Sequence, residues 1–397
     1  MANSLTAFNP QFWTREMQPV FFKENPVLAY ANTELRDVLE MGTTVNRPYR
    51  STLVSQTYSK GTEISTFNDL SGTADTLTVD TCKVVPFYVD DLDRIQNKWD
   101  VAAIFAADAQ RVLNNGLEQK VLSNYSSASA YISAGDLGGS GTGSTAISQA
   151  NIYNLFAVAQ RKLEHADVPL NSQIAVIGPR LLEQLRLSVA GRETGFGDTV
   201  GENGVVGSRF GFQIVRSNNV PFSAVLTYSG QPSNTETLKI DDVTFTFVTS
   251  IGSTAGNVLI ENNSDTTFGY LDDAINNTTN SGKWVALSVK DRWKLQKHGI
   301  TCTIDTSDHT LTISGYGDVP IVEAATNLVL TSNTQYPLFM AGKPIDLIVQ
   351  KSPNVEFRMA EKMLGRYVYP WTLYGSGVWT NMKDCYLYAR VDTSAWV

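Results

Sequence analysis

No apolar run in this 397-residue chain approaches the roughly 18 residues that a membrane-spanning helix needs. The opening MANSLTAFNPQFW lacks a basic region followed by an apolar core, so no signal peptide is expected. Cysteine is scarce. Cys82, Cys302 and Cys385 are odd in number, far apart and without metal-ligand spacing. They read as buried free thiols of a chain folded in a reducing cytoplasm. His165, His298 and His309 stand apart, with no H-x-x-x-H and no neighbouring cysteine pair, so no zinc site is expected. There is no G-x-S-x-G elbow. The glycine-rich stretch 138–144 lacks the Lys-Ser/Thr of a phosphate cradle and reads as a flexible loop. No catalytic residue, cofactor or metal is therefore nominated. Basic charge is also short, with 31 Lys and Arg against 39 Asp and Glu, a net charge of −8. That balance argues against a protein that grips nucleic acid tightly. Most of that excess lies in one segment: residues 222–323 hold six basic and twelve acidic residues, a balance of −6.

Two clusters invite chemistry and have plainer readings. Asp90, Asp91 and Asp93 could hold a cation or move protons, but they read as the acidic turn before a helix, where the helix dipole favours carboxylates. Asp272 and Asp273 read as a solvated helix face. Lys290, Arg292, Lys294, Lys297 and His298 flank Trp293 as a stacking nucleic-acid site would. Val289, Asp291, Trp293 and Leu295 alternate with them, so the run reads as one solvated face of a strand.

What is present is periodicity. Val101, Phe105, Ala109, Leu113, Leu117, Val121 and Tyr125 recur every fourth position, broadened by Ile104 and Val112. They predict an amphipathic helix over about 98–125, capped by Asn97. A stripe spaced by four drifts round a 3.6-residue helix, so this one should meet different partners along its length. Before it, residues 1–48 carry large apolar groups broken by Pro10, Pro19 and Pro26, which reads as an arm with no core of its own, with a short helix over 28–39. Residues 49–90 read as a long two-stranded excursion with too little core to stand alone. After the helix, residues 148–221 look α/β, with helices from Ser148 to about Ala166 and after Pro179, and a strand Ile174–Ile177. Residues 222–323 read as an inserted β-rich unit. It holds a hairpin over 238–248 that turns at Asp241-Asp242, a helix over 266–276, and strands at 257–260, 284–287, 299–304 and 310–313. Residues 324–397 return to the first fold.

This order of parts resembles the major capsid proteins of tailed bacteriophages, the HK97-like fold. Gly207-Ser-Arg-Phe-Gly-Phe-Gln-Ile-Val-Arg-Ser-Asn-Asn-Val-Pro221 is similar to the segment where the axial domain of that family crosses its sheet. Its marker positions here are Gly207, Gly211, Phe212, Ser217 and Pro221. Phe339 to Trp379 is similar to the family's closing segment, with its turn at Tyr374-Gly375. Podovirus coat proteins carry an inserted domain just after the Ser-x-x-x-Pro segment, where 222–323 falls. The fold expected is α+β: N-terminal arm (1–48), extended hairpin loop (49–90), peripheral domain with spine helix (91–147), axial domain (148–221), insertion domain (222–323), axial return (324–350) and peripheral C-terminus (351–397).

The resemblance implies a structural subunit of an icosahedral shell, located in the virion and assembled in the host bacterial cytoplasm. Its copies would form pentamers and hexamers. A separate scaffolding protein and a portal would assist it, DNA contacts would be weak and non-specific, and a decoration protein could bind. Some relatives join subunits by a Lys–Asn isopeptide bond; Lys60 lies in the extended loop, but no partner residue is identified. Phe12, Trp13, Phe21, Phe22, Ile64, Phe67, Leu77 and Val79 are the candidates for contact between subunits. The rival readings are an encapsulin-like compartment and a virion-associated glycan hydrolase. The hydrolase needs a carboxylate pair that no spacing nominates.

Overall fold

The computed structural model describes residues 22–37, 42–50, 53–64, 67–68, 72–96, 101–169, 172–190, 207–278, 282–361 and 363–394. Phe12, Trp13, Phe21, Asn97 and the loop 191–206 fall outside these residues. The helices are α1 (Asp91–Gln96), α2 (Val101–Leu122), α3 (Ile152–His165), α4 (Pro179–Ala190), α5 (Ser264–Asn276) and α6 (Val289–Lys297).

Helix α2 organises the chain as its periodicity predicts. Ala109, Leu113, Leu117 and Val121 are buried, joined by Leu122. The partners of Leu117, Val121 and Leu122 come from several elements: Val27 and Ala31 of the arm, Ile174, Val176, Leu338 and Met340 of a sheet, and Tyr374 and Tyr386. The stripe does not stay buried to its start. Phe105 is 46% exposed, its ring 6.3 Å from that of Phe87. The helix thus runs out of its own core toward its N-terminus.

Three sheets position it. The peripheral sheet pairs the long strands Asp346–Met359 and Gly365–Gly377, with Thr81–Val84 and Phe87–Asp90 side by side along the second. The axial sheet runs Ala130–Ile132, Tyr386–Ala389, Leu338–Ala341, Gln173–Ile177, Phe212–Arg216, Ser208–Arg209. Its core includes Leu155, Phe156 and Leu163 of α3 and Leu181, Leu182 and Leu185 of α4. A two-stranded ladder, Thr44–Arg50 against Gly72–Thr78, packs at its root against the peripheral sheet.

The segment after Pro221 grows out as a continuation of one sheet. Pro221–Tyr228 and Leu328–Gln335 lie antiparallel in a six-stranded sheet. Thr301–Asp305 and Thr310–Tyr316 extend it on one side, Val391–Asp392 and Thr145–Ala146 on the other. A four-stranded sheet packs with it: Asn257–Leu259, Val243–Val248, Thr237–Ile240, Ile321–Ala324. Asp241 takes φ 53° in the expected hairpin turn. Phe245, Phe247, Phe268, Leu271 and Leu311 fill the space between the layers. The Asn276 side chain accepts from Cys302 N–H (2.9 Å) and donates to Cys302 C=O (2.8 Å). It thereby covers the outer edge of a strand that would otherwise offer itself for pairing. Gly269 sits inside α5 with open space where a Cβ would be. Gly269→Ala is expected to raise stability by about 0.5–1 kcal/mol, read by urea unfolding.

Several expectations are overturned. Residues 289–297 form a helix, not a strand. Ser288 caps it, accepting from Asp291 N–H at 3.1 Å, and Leu295 alone of the alternating positions is buried. Val289 is 89% exposed. Helix-forming Lys, Arg and Gln with a sound cap outweigh a four-position alternation. Residues 284–287 form no strand beyond one bridge, Val258 to Trp284. Tyr374 and Gly375 lie inside a strand rather than at a turn, because the strand Asp346–Met359 stays paired past them to Gly377. The arm holds two 3₁₀ turns, Pro26–Tyr30 and Glu34–Asp37, in place of one helix; between them Asn32 bridges to Asp346. Cys82 is exposed, whereas Cys302 is buried and Cys385 half-buried. Asp272 is half-buried and accepts from Asn276 at 3.0 Å, and burial pushes its carboxyl up.

Candidate functional site

The surfaces that set this chain apart are the two-stranded ladder and its tip. The root of the ladder is apolar and fastened. Leu77 and Val79, each 5% exposed, pack with Ile348 and Trp379. Asp75 accepts from Thr380 N–H (2.8 Å) and Thr380 Oγ1 (3.0 Å). The Trp379 indole donates to Asp346, whose carboxyl is pushed up by burial against that hydrogen bond. Arg47 lies 5.7 Å over the Trp379 ring, and a cleft of about 220 Å³ opens beside them. Leu77 and Val79 were expected to face another subunit. They do not: the chain covers them itself, because the root folds back onto its own peripheral sheet.

Beyond the root the large apolar side chains of the described residues lie open. Leu53, Val54, Tyr58 and Ile64 are all more than half exposed, and Phe67 is 80% exposed. Asn68 joins the two sides of the excursion, accepting from Val54 N–H (3.3 Å) and donating to Val54 C=O (2.8 Å). Gly61 supplies φ 88° at the turn. A second apolar patch lies at the far end of the peripheral sheet, with Leu92 and Ile95 of α1 beside Phe357, Met359 and Leu364. Leu53, Val54 and Tyr58 escaped the list of candidate contacts because their short apolar runs also fit an ordinary strand. Of the three acids expected in a turn before the long helix, Asp90 accepts from Leu92 N–H at 2.9 Å, while Asp91 and Asp93 lie within the short helix α1.

The arm is fastened by a buried polar node that the sequence reading missed. Glu118 of α2 has 0% exposure. Its Oε1 accepts from Val27 N–H (3.3 Å) and Ser217 Oγ (3.1 Å), its Oε2 from Asn219 Nδ2 (2.6 Å). Asn219 also donates to Asn115 Oδ1 (2.7 Å) and accepts from Lys23 Nζ (2.9 Å). Lys23 reaches on to Tyr316 C=O (3.3 Å), which His298 Nδ1 approaches at 2.9 Å. Burial raises the Glu118 carboxyl, against the pull of Asn219, Val27 and Ser217. Burial, with Lys297 nearby, lowers Lys23 to about 7; burial, with Lys23 beside it, lowers His298 to about 4. One signal was available: Glu118 lies four residues before Leu122, on the widened apolar face of the helix. Phe22 follows the same path, its ring 5.5 Å from the Arg111 guanidinium.

The axial motif is a backbone device. Gly207 and Gly211 take φ 67° and 81°. A Cβ on Gly211 would lie 2.5 Å from Gln173 Oε1. Phe212 is buried against Phe156 and Phe339, and Ser217 and Pro221 are buried. The basic run on α6 is spent locally: Arg292 donates to the carbonyls of Ala274 and Ile275 at the end of α5, Lys294 faces Asp291 and Asp242, and Lys297 covers Trp293. Among the described residues no group of three metal-ligating side chains occurs, and no helix is long and apolar enough to cross a membrane.

No family profile and no curated protein matches the sequence. Solved structures do match. A structure from Mycobacterium phage Che8 is 14% identical, covering 97% of this chain and 98% of its own, with TM-score 0.59. The capsid structure of cyanophage P-SCSP1u is 12% identical over 98% and 95%, TM-score 0.56. The mature capsid of bacteriophage PhiM1 is 13% identical over 96% and 92%, TM-score 0.54. The likeness runs from end to end of the chain, and it shows the fold: α+β, the HK97-like fold of phage capsid subunits.

Proposed function

We propose that this chain is the major capsid protein of a tailed double-stranded DNA phage, a structural subunit that self-assembles into an icosahedral shell. The observation that carries this is the extended loop 53–68, whose large apolar side chains reach past any core of their own on a fold held in common with capsid subunits. Burying one such side chain contributes about 1.5–3 kcal/mol, and a second copy is the surface that can supply it. Head-to-tail contacts of that kind close into rings, here pentamers and hexamers. The contact residues are Phe12, Trp13, Phe21, Phe22, Ile64 and Phe67, with Leu53, Val54 and Tyr58 added and Leu77 and Val79 removed. The division into arm, loop, peripheral, axial and insertion segments stands as part of this reading. So do a separate scaffolding protein and portal, weak DNA contact, and assembly in the host cytoplasm. The acidic insertion faces away from packaged DNA because like charges repel. No observation favours the compartment or the hydrolase.

Negative-stain microscopy of the expressed chain, alone and with a co-expressed scaffolding protein, is expected to show isometric shells. A monomer under both conditions overturns the reading. Tyr58→Asp with Phe67→Asp is expected to leave the soluble chain's unfolding free energy within about 0.5 kcal/mol, because both side chains are exposed. The same pair is expected to lower shell yield by about tenfold or more, since each contact loses its apolar burial. Unchanged yield would remove the loop from the contact.

A further inference from the structure

The node around Glu118 gathers side chains from four separated segments: Lys23 of the arm, Asn115 and Glu118 of α2, Ser217 and Asn219 before Pro221, and His298 after α6. Lys23 does not reach the carboxylate by a direct hydrogen bond. The Asn219 amide stands between them, accepting from the Lys23 amine and donating to the carboxylate. A carboxylate so placed, with three donors on it, is fixed in the core. The amine belongs to the arm, and it leaves whenever the arm leaves.

We propose that this node is a proton-operated latch: the arm at residues 22–31 comes off helix α2 by carrying Lys23 into water, where it takes up a proton, so the arm loosens as the solution acidifies. The reading is independent of whether the chain forms shells. The direction follows from linkage. Lys23 is lowered to about 7 in place, against an ordinary value of 10.5. Between those values the released arm binds one more proton than the docked arm. Docking is thus tightest above 10.5 and is weakened progressively as pH falls to about 7. His298, lowered to about 4, works in the same sense further down, between 6.5 and 4. Glu118, raised by burial, opposes them on the acid side, since its docked form holds the extra proton. Lys297 adds its charge against Lys23, and Asp241 favours a charged His298. The pair Glu24–Arg216 lies outside, at 3.5 Å and largely exposed.

Val27 N–H donates to Glu118 and is free only when the latch opens, so its exchange with deuterated water reads the opening directly. Chemical exchange quickens about tenfold per pH unit, and the opening of a one-proton latch becomes about tenfold rarer per unit. In the full chain, the Val27 exchange rate measured by NMR is expected to stay nearly level from pH 7.5 to 9. In Lys23→Met, which cannot titrate, and in Lys23→Arg, which stays charged throughout, it is expected to rise about tenfold per unit, with Arg faster than Met. A native rate that rises tenfold per unit like the variants overturns the latch. That measurement needs no variant to fold.

Discussion

Gly375→Ala is expected to pull the root of the ladder off the peripheral sheet. A Cβ at this position would collide with the carbonyl oxygen of Thr78 and lie 2.8 Å from Val79 Cα and 3.0 Å from the Thr78 carbonyl carbon. All three are backbone atoms, so no side-chain rotation relieves the contact, and the main chain at 78–79 must move. That movement carries Leu77 and Val79 away from Ile348 and Trp379. Overpacking of this kind costs about 1–3 kcal/mol, toward the upper end where only backbone can give way. Urea unfolding is expected to show that loss. Amides of the ladder, among them Val79 N–H bonded to Thr43 C=O at 2.8 Å, are expected to lose protection first. Gly72→Ala, at the far end of the same ladder and with open space around it, is the control and should be nearly neutral. Equal stability of the two variants would show that the root is not packed as described.

Glu118→Leu is the second large effect. The side chains are similar in size, but three donors lose their acceptor together: Val27 N–H, Ser217 Oγ and Asn219 Nδ2. Lys23 also loses the anion that Asn219 relays to it. Breaking a buried charged network from one side costs about 3–5 kcal/mol, more than the apolar gain of a leucine returns. Glu118→Gln keeps one carbonyl oxygen and is expected to cost about 1–2 kcal/mol. Thermal unfolding monitored at several pH values separates the two. The raised Glu118 carboxyl contributes stability that is fully present below 4.5 and is lost as pH rises through its folded value, so the native-to-Gln difference should shift with pH on that side. A Leu variant as stable as the native chain would mean the node does not hold the arm.

The position of Glu118 shows how unevenly the fold could be read beforehand. Helix α2 was legible because fourfold spacing of Ala109, Leu113, Leu117 and Val121 is a local signal repeated along one helix face. The 238–248 hairpin was legible because alternation and the Asp241-Asp242 turn agree. Residues 289–297 were misread for want of length. Over nine residues an alternating pattern and a helical one differ at few positions, and the cap at Ser288 decided between them. Tyr374-Gly375 was misread because the turn was carried over from the resemblance to the capsid family's closing segment. Here the glycine is needed for close approach of another strand.

The sequence by itself determined the organising helix and the 238–248 hairpin, since each rests on residues within a few turns or one strand of each other. Tertiary structure alone decided which apolar groups stay uncovered. Leu77 and Phe67 read alike in sequence, and one is 5% and the other 80% exposed because only the root of the ladder folds back onto Ile348 and Trp379. It also decided the node, where Lys23 and His298 meet across 275 positions of chain. A periodicity reports the face a segment will bury; which remote residues arrive at that face is settled only when the sheets and the arm have packed around it.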